Sequence, residues 1–103
     1  MMIYKILTAD QWEQFEADGR FEGAPIDRAD GFIHFSALDQ VAGTLEKHFD
    51  GQTGLVVVEV DERKVPDDQL KWEVSRGGEK FPHLYGSLCR DAVVSITDAS
   101  DYS

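Results

Sequence analysis

The sequence has a single cysteine, little positive charge and no long apolar segment. Cys89 has no second cysteine with which to form a disulfide within the chain, as is common in a reducing cytoplasm. Residues 1–8 are too short and too polar for a secretory signal, and no apolar run approaches the ~20 residues that span a membrane. We therefore expect a cytoplasmic protein that folds without disulfides and does not cross a membrane.

Acidic side chains outnumber basic ones. The chain has 20 Asp and Glu against 10 Lys and Arg, for a formal net charge of −10. Because proteins bind polyanions largely through Lys and Arg, broad nucleic-acid binding is disfavoured. A small anionic or nucleotide ligand remains compatible with this charge, since the local field of a pocket can oppose the global one. The charge does not indicate the oligomeric state.

Length and composition favour one compact unit. The chain has 103 residues, of which 42% are hydrophobic, so it can form a core without metals or disulfides. We expect a single domain spanning residues 1–103, because there is no room for a second independent core.

The first part of the chain carries clear boundary signals. Residues 2–7 are apolar enough for a strand, and Thr8 with Gln11 has the form of a capping box that starts a helix. Gly19 is a natural end for this helix. Residues 19–31 lack periodicity and predict an ordered loop.

A second helix is predicted after a short strand at 32–35. The helix has one apolar stripe formed by Leu38, Val41, Ala42, Leu45 and Phe49. Ser36 with Asp39 predicts its N-terminus, and Gly51 its end. These two main helices both lie in the first half of the chain.

The second half is dominated by predicted strands at 55–60, 70–74, 81–86 and 92–97. The first of these is almost entirely apolar and suits a central strand covered on both faces. Pro82 places the third at an edge or a strand entrance. Ser75–Lys80 predicts a turn that either closes over a cleft or forms a hairpin tip. The polar tail from Asp98 is expected to fray. The mixture predicts an α+β fold.

His34 is the first candidate functional residue. It lies between a strand and a helix N-terminus, where free backbone N–H groups and the helix dipole attract anions. A phosphate or carboxylate there would contact His34, Ser36 and the helix amides. The alternatives are that His34 is a core-edge histidine bonded to a carbonyl, and that Ser36 serves only as the helix N-cap.

His83 and Tyr85 are two residues apart, so a strand would place them on one face, where they would line a cleft with His34. Alternatively, they are amphipathic rings on the rim of an edge strand. Glu73 is the candidate carboxylate for acid–base work or for a ribose hydroxyl, unless it is simply solvated. We predict no metal site, because the three histidines (34, 48 and 83) are far apart and no HExxH motif is present.

Several short motifs occur in a specific order. They are YKI (4–6), Trp12, Gly19, DGFIHFS (30–36), Gln40, Thr44, VEVD (58–61), LKWE (70–73) and FPHLYG (81–86). This set resembles a bacterial family known as domain-of-unknown-function family 952, from Tyr4 to about Ile96. No reaction is assigned to that family.

The resemblance implies a fold similar to that of the ADP-ribosyltransferases, with a split antiparallel sheet around an NAD cleft. The IHFS segment is similar to the histidine-serine strand of RNA 2′-phosphotransferases, which implies ligand contacts for His34 and Ser36. Arg20 and Arg28 are the candidates for phosphate contacts. The first strand reads Ile3-Tyr-Lys-Ile6 where those transferases have a His-Gly-Thr motif, so the fold carries over better than the chemistry.

Three functional hypotheses follow. The first is a domain that binds or processes a nucleotide-type ligand, such as NAD, ADP-ribose or a phosphorylated RNA end. In it His34, His83 and Glu73 are the catalytic candidates, and NAD is the candidate cofactor. The second is a non-catalytic module that senses a ligand or binds a partner protein. The third assigns His34, His83 and Tyr85 to packing alone. Whether the protein is an enzyme stays open at this point.

Overall fold

The computed structural model describes residues 1–102, except for the side chain of Arg76. The strands are β1 Met2–Thr8, β2 Arg20–Phe21, β3 Ile33–His34, β4 Leu55–Asp61, β5 Leu70–Val74, β6 Lys80–Leu84, β7 Leu88–Cys89 and β8 Val93–Asp98. The α-helices are α1 Ala9–Asp18, α2 Pro25–Asp30 and α3 Val41–His48. Short 3₁₀ turns lie at Leu38–Gln40, Glu62–Lys64, Arg76–Gly78, Arg90–Ala92 and Ala99–Tyr102. All strand pairings are antiparallel, so the predicted α+β class is confirmed.

The largest sheet has the order β1-β4-β8, with the apolar strand β4 at its centre. Consecutive residues of a strand point to opposite faces of the sheet. Val57 packs into one buried cluster and Val58 into the other, and each is at most 1% exposed. The prediction of a central strand covered on both faces is therefore confirmed.

A second sheet has the order β3-β6-β5 and positions the candidate site. Ile33 pairs with Leu84, and His34 pairs with His83. Ile33 and Leu84 are buried in the core, so the two histidines point to the opposite face of this sheet.

Pro82 lies on the middle strand of this sheet, and its predicted edge position is wrong. Its carbonyl accepts a hydrogen bond of 2.9 Å from the backbone N–H of Phe35. Proline has no N–H to donate in return, so the β3–β6 ladder ends after the pair of His34 and His83. A short partner strand is what allows proline in a central position here.

The capping box of α1 is confirmed, but the predicted loop at 19–31 is wrong beyond the turn at Gly19. This segment contains β2 and α2. Pro25 begins α2, and the carboxylate of Asp27 accepts from the N–H of Ala24 at 2.7 Å, which completes a capped turn. A helix of six residues is too short to produce a periodic apolar pattern.

Ser36 is not the N-cap of the following helix, contrary to the prediction. Its backbone forms a two-way bridge with Tyr4, with both N–H···O distances at 2.8 Å. Its hydroxyl lies 3.1 Å from that of Thr44. The side chain of Gln40 instead accepts from the N–H of Ala37 at 2.8 Å. Two residues predicted on the buried stripe are exposed. Leu38 is 60% exposed, because a 3₁₀ turn precedes α3, and Ala42 in the first turn of α3 is exposed as well.

The C-terminal tail does not fray through residues 99–102. It forms a 3₁₀ turn in which Ala99 is buried and the ring of Tyr102 lies 6.1 Å from that of Tyr4. Apolar contacts with β1 explain why polar composition failed to predict this order.

The Ser75–Lys80 segment is a hairpin tip between β5 and β6, closed by a 2.9 Å bond from the N–H of Ser75 to the carbonyl of Glu79. Residues 1–102 contain no helix long and apolar enough to cross a membrane.

Candidate functional site

Four rings gather on the outer face of the β3-β6-β5 sheet. We call Phe32, His34, His83 and Tyr85 the ring cluster. Phe32 is at its centre, with ring-centroid distances of 4.2 Å to His83, 4.6 Å to His34 and 5.1 Å to Tyr85. The two imidazoles are 5.5 Å apart in an edge-to-face arrangement. The cluster exists because β3 and β6 place His34 opposite His83, and the residues two positions away share that face.

A buried carboxylate supports His34 from α2. Asp27 is 1% exposed, and its Oδ1 lies 2.6 Å from Nδ1 of His34 and accepts from the backbone N–H of His34 at 3.1 Å. Lys5 of β1 is also buried, and its Nζ lies 2.9 Å from Oδ2 of Asp27. Lys5, Asp27 and His34 therefore form a chain of polar contacts from the core to the surface.

Burial and ion pairing shift the pKa values of Asp27 and Lys5 in opposite directions. Burial alone would raise the pKa of Asp27, but hydrogen bonds from His34 and Ala24 and the charge and hydrogen bond of Lys5 lower it to about 2. Burial lowers the pKa of Lys5, and Asp27 offsets part of that effect. Asp27 is therefore a carboxylate that fixes the orientation of His34 by accepting its Nδ1 proton.

The second ring nitrogen of His34 also faces a carboxylate. Its Nε2 lies 3.0 Å from Oδ2 of Asp30, at the end of α2. A carboxylate only accepts hydrogen bonds, so both contacts form together only when the ring carries two protons. Asp30 is partly exposed, so a ligand could displace it from His34.

His83 has a carboxylate partner of its own. Oε1 of Glu73 lies 2.8 Å from Nδ1 of His83 and accepts from the Tyr85 hydroxyl at 2.7 Å. The hydrogen bonds from Tyr85 and His83 lower the pKa of Glu73, and the bond to Glu73 raises the pKa of Tyr85. The predicted His83, Tyr85 and Glu73 therefore lie together, and Glu73 holds both rings.

The orientation of His83 leaves one nitrogen for chemistry. With Nδ1 donating to Glu73, a neutral ring carries its lone pair on Nε2. No hydrogen bond joins Nε2 to any of the described side chains or backbone groups. His83 is only 5% exposed and its ring stacks on that of Phe32, so acid–base work by Nε2 requires a ligand that reaches a largely buried nitrogen. The described residues contain no group of three His, Cys, Asp or Glu side chains arranged to hold a metal ion.

The other candidate residues lie elsewhere. Arg20 is paired with Glu22 at 2.8 Å, and it lines a depression of about 190 Å³ together with Arg28. Ser36 contacts Thr44 and Tyr4 rather than the ring cluster. Neither this depression nor a larger one of about 540 Å³, beside α3, is lined by the ring cluster. The ring cluster is therefore separate from both depressions.

Sequence reasoning missed Lys5, Asp27, Asp30 and Phe32. A signal existed for Lys5, since a lysine inside an apolar strand requires a buried counter-charge. Asp27 follows proline by two residues, which is the spacing of a helix start, although the partner of its carboxylate is not readable from spacing. Phe32 and Asp30 lie within the DGFIHFS motif, yet their contacts depend on the pairing of β3 with β6.

Comparison with known proteins identifies the family of this chain and solved structures that share its fold. Residues 6–96 match the family described as "Protein of unknown function (DUF952)". The X-ray structure of protein CC0527 from Caulobacter crescentus is 47% identical, with a TM-score of 0.90 over 95% of this chain and 85% of that chain. Its solution NMR structure gives 48% identity and a TM-score of 0.82 over 94% and 83%. No curated protein matches. The chain therefore belongs to the DUF952 family.

Proposed function

We propose that the ring cluster binds a nucleotide-type ligand, such as NAD, ADP-ribose or a phosphorylated RNA end, on an ADP-ribosyltransferase-like fold. The supporting observation is that His34 and His83 are register partners, and a carboxylate holds Nδ1 of each ring, at 2.6 Å and 2.8 Å. Packing alone does not require the same orienting contact on two neighbouring histidines. The arrangement suits recognition of, or proton exchange with, a ligand that has several polar groups.

The rings suit a nucleobase or nicotinamide. Tyr85 is 40% exposed and lies beside Phe32, so a planar group can stack on this edge of the cluster. Aromatic stacking on an open face contributes about 1–3 kcal/mol per base in single-stranded nucleic-acid binding. Glu73 and Nε2 of His83 then supply an acceptor and an acid–base group for a ribose hydroxyl. His83 is the acid–base candidate in this assignment.

Electrostatics determine where a phosphate would lie. Asp27, Asp30 and Glu73 surround the histidines, so an anion is disfavoured at the carboxylate side of the cluster. Lys71 of β5 is exposed and lies directly across from His83. We therefore place the phosphate near Lys71 and the ring system over Phe32 and Tyr85.

The contacts of His34 favour a second candidate function, that of a non-catalytic module. Both nitrogens of His34 are engaged by carboxylates, which is the arrangement expected of a structural histidine. A non-catalytic module would bind a ligand or a partner protein through the same rings without turnover. Turnover of a bound nucleotide that is lost in His83→Gln separates the two functions, since glutamine preserves polarity but cannot exchange a proton at neutral pH.

We expect His83→Ala to abolish nucleotide binding. A thermal-shift titration would use NAD, ADP-ribose and a 2′-phosphorylated dinucleotide. At about 100 times its dissociation constant, a ligand adds about 2.7 kcal/mol, which raises Tm by about 10 °C in a domain of this size. Wild type should show this shift with at least one compound, and His83→Ala and His34→Ala should lose it.

His48→Ala is the matched control, because His48 is the third histidine and lies at the exposed end of α3. It should keep the full shift. Absence of a shift in wild type with all three compounds, or a full shift in His83→Ala, would contradict the proposal.

A further inference from the structure

Strand β5 has an open edge. It is the outer strand of the order β3-β6-β5, and within residues 1–102 no other strand pairs with its free side. The carbonyl of Pro82 bonds to Phe35, so the backbone of Pro82 faces β3 and its neighbours face β5. Their register partners, Lys71 and Glu73, therefore turn their backbone groups inward.

The intervening residues consequently turn their backbone groups outward. Trp72 and Val74 each present an N–H and a carbonyl at the free edge, and no hydrogen bond to these groups is found among the described residues. An unpaired row of this kind is a template for another strand. The side chain of Val74 is also 64% exposed, so it is accessible to a strand added at this edge.

The sequence of this edge is complementary to itself. If two copies pair antiparallel about Trp72, then Trp72 meets its own copy, Leu70 meets Val74, and Lys71 meets Glu73. Outward-facing Trp72 would form a hydrogen-bonded pair with its copy, which makes Lys71 and Glu73 a non-hydrogen-bonded pair, with Cα atoms about 4.5 Å apart. The charges are thus opposite at both symmetry-related positions.

We infer that this protein forms a two-fold dimer through β5, which joins two three-stranded sheets into one six-stranded sheet. Leu70, Trp72 and Val74 supply apolar contacts on one face, and two Lys71–Glu73 pairs form on the other. Glu73 uses Oε1 for both His83 and Tyr85, so its Oε2 is the oxygen left for Lys71 of the partner subunit. The partner thereby adds a cation beside the ring cluster.

The dimer is expected to be weak. A strand of five residues buries less than the ~1,200 Å² typical of stable complexes, so we expect association only at high protein concentration. The inference does not depend on nucleotide binding, since it rests only on the edge and its charge pattern.

Charge reversal tests the register. By sedimentation velocity, wild type should dimerise, while Lys71→Glu and Glu73→Lys alone should each be monomeric, because each places like charges opposite one another. An equimolar mixture of the two variants should associate, since one supplies only acidic and the other only basic side chains at these positions. Lys64→Glu, an exposed charge reversal outside β5, should dimerise like wild type.

Val74→Pro tests backbone pairing at the edge of β5 without changing any charge. It removes an outward-facing N–H that the monomer does not use, so the isolated fold should persist by circular dichroism while dimerisation is lost. A wild-type protein that remains monomeric up to ~1 mM would overturn the inference. A dimer that is unaffected by Lys71→Glu and Val74→Pro would overturn it as well.

Discussion

Replacing Asp27 with asparagine is expected to destabilise the protein by about 3–5 kcal/mol. Asparagine has nearly the same shape, but it leaves the buried ammonium of Lys5 without a counter-charge and weakens the contacts to His34. Removing one partner of a buried ion pair is costly because the remaining charge is kept from water. Urea unfolding followed by circular dichroism would measure the loss. A cost of this size is a large part of the stability of a typical small domain.

Two controls separate the buried pair from ordinary substitution effects. Lys5→Met combined with Asp27→Asn removes both charges, so the double variant should be more stable than Asp27→Asn alone. Glu22→Gln breaks the Arg20–Glu22 pair, in which both side chains are exposed, and should leave stability unchanged within error. Equal destabilisation by Asp27→Asn and Glu22→Gln would rule out a structural role for the buried pair.

The same carboxylate predicts how stability depends on pH. The pKa of Asp27 is about 2 in the folded protein, against about 3.9 for an unfolded chain. Because the folded-state pKa is the lower one, the unfolded state takes up protons first as pH falls. The contribution of Asp27 is therefore fully present above about pH 5 and is lost as pH falls toward 2, a change of about 2–3 kcal/mol.

The difference between wild type and Asp27→Asn isolates this contribution. Arg63 also lowers the pKa of Asp61 to about 2, so the wild-type curve contains more than one carboxylate. Urea midpoints between pH 2 and 7 should therefore converge for wild type and Asp27→Asn as pH falls. A constant gap across this range would mean that the Asp27 carboxyl has the same pKa in the folded and unfolded chains.

Local signals in the sequence predicted the parts of the fold that local physics determines. The Thr8 capping box, the αL turn at Gly19 and the apolar strand at 55–60 each depend on a few neighbouring residues, and each is present. The failures at Ser36 and Pro82 have a different origin. Ser36 is held by Tyr4, and Pro82 is tolerated because β3 is short, so both depend on pairings distant in sequence.

Part of the candidate site was also predictable, because it depends on residues close together in the sequence. His83 and Tyr85 share a face by strand alternation, and the structure brings them together with His34 and Glu73. The support behind His34 was not predicted, because Asp27 lies in a helix too short to leave a pattern. Arg20 and Arg28 were selected for their charge alone, and they line a separate depression.

We propose that a ligand of the ring cluster contacts the ring nitrogens of His34, which is partly exposed, and of His83, which is only 5% exposed. The most direct measurement is a two-dimensional NMR titration of the histidine ring nitrogens with ADP-ribose. Saturable shifts at Nε2 of His83 and at the His34 ring, with His48 unchanged, are the predicted result. Binding that shifts neither His34 nor His83 would contradict the assignment of the site.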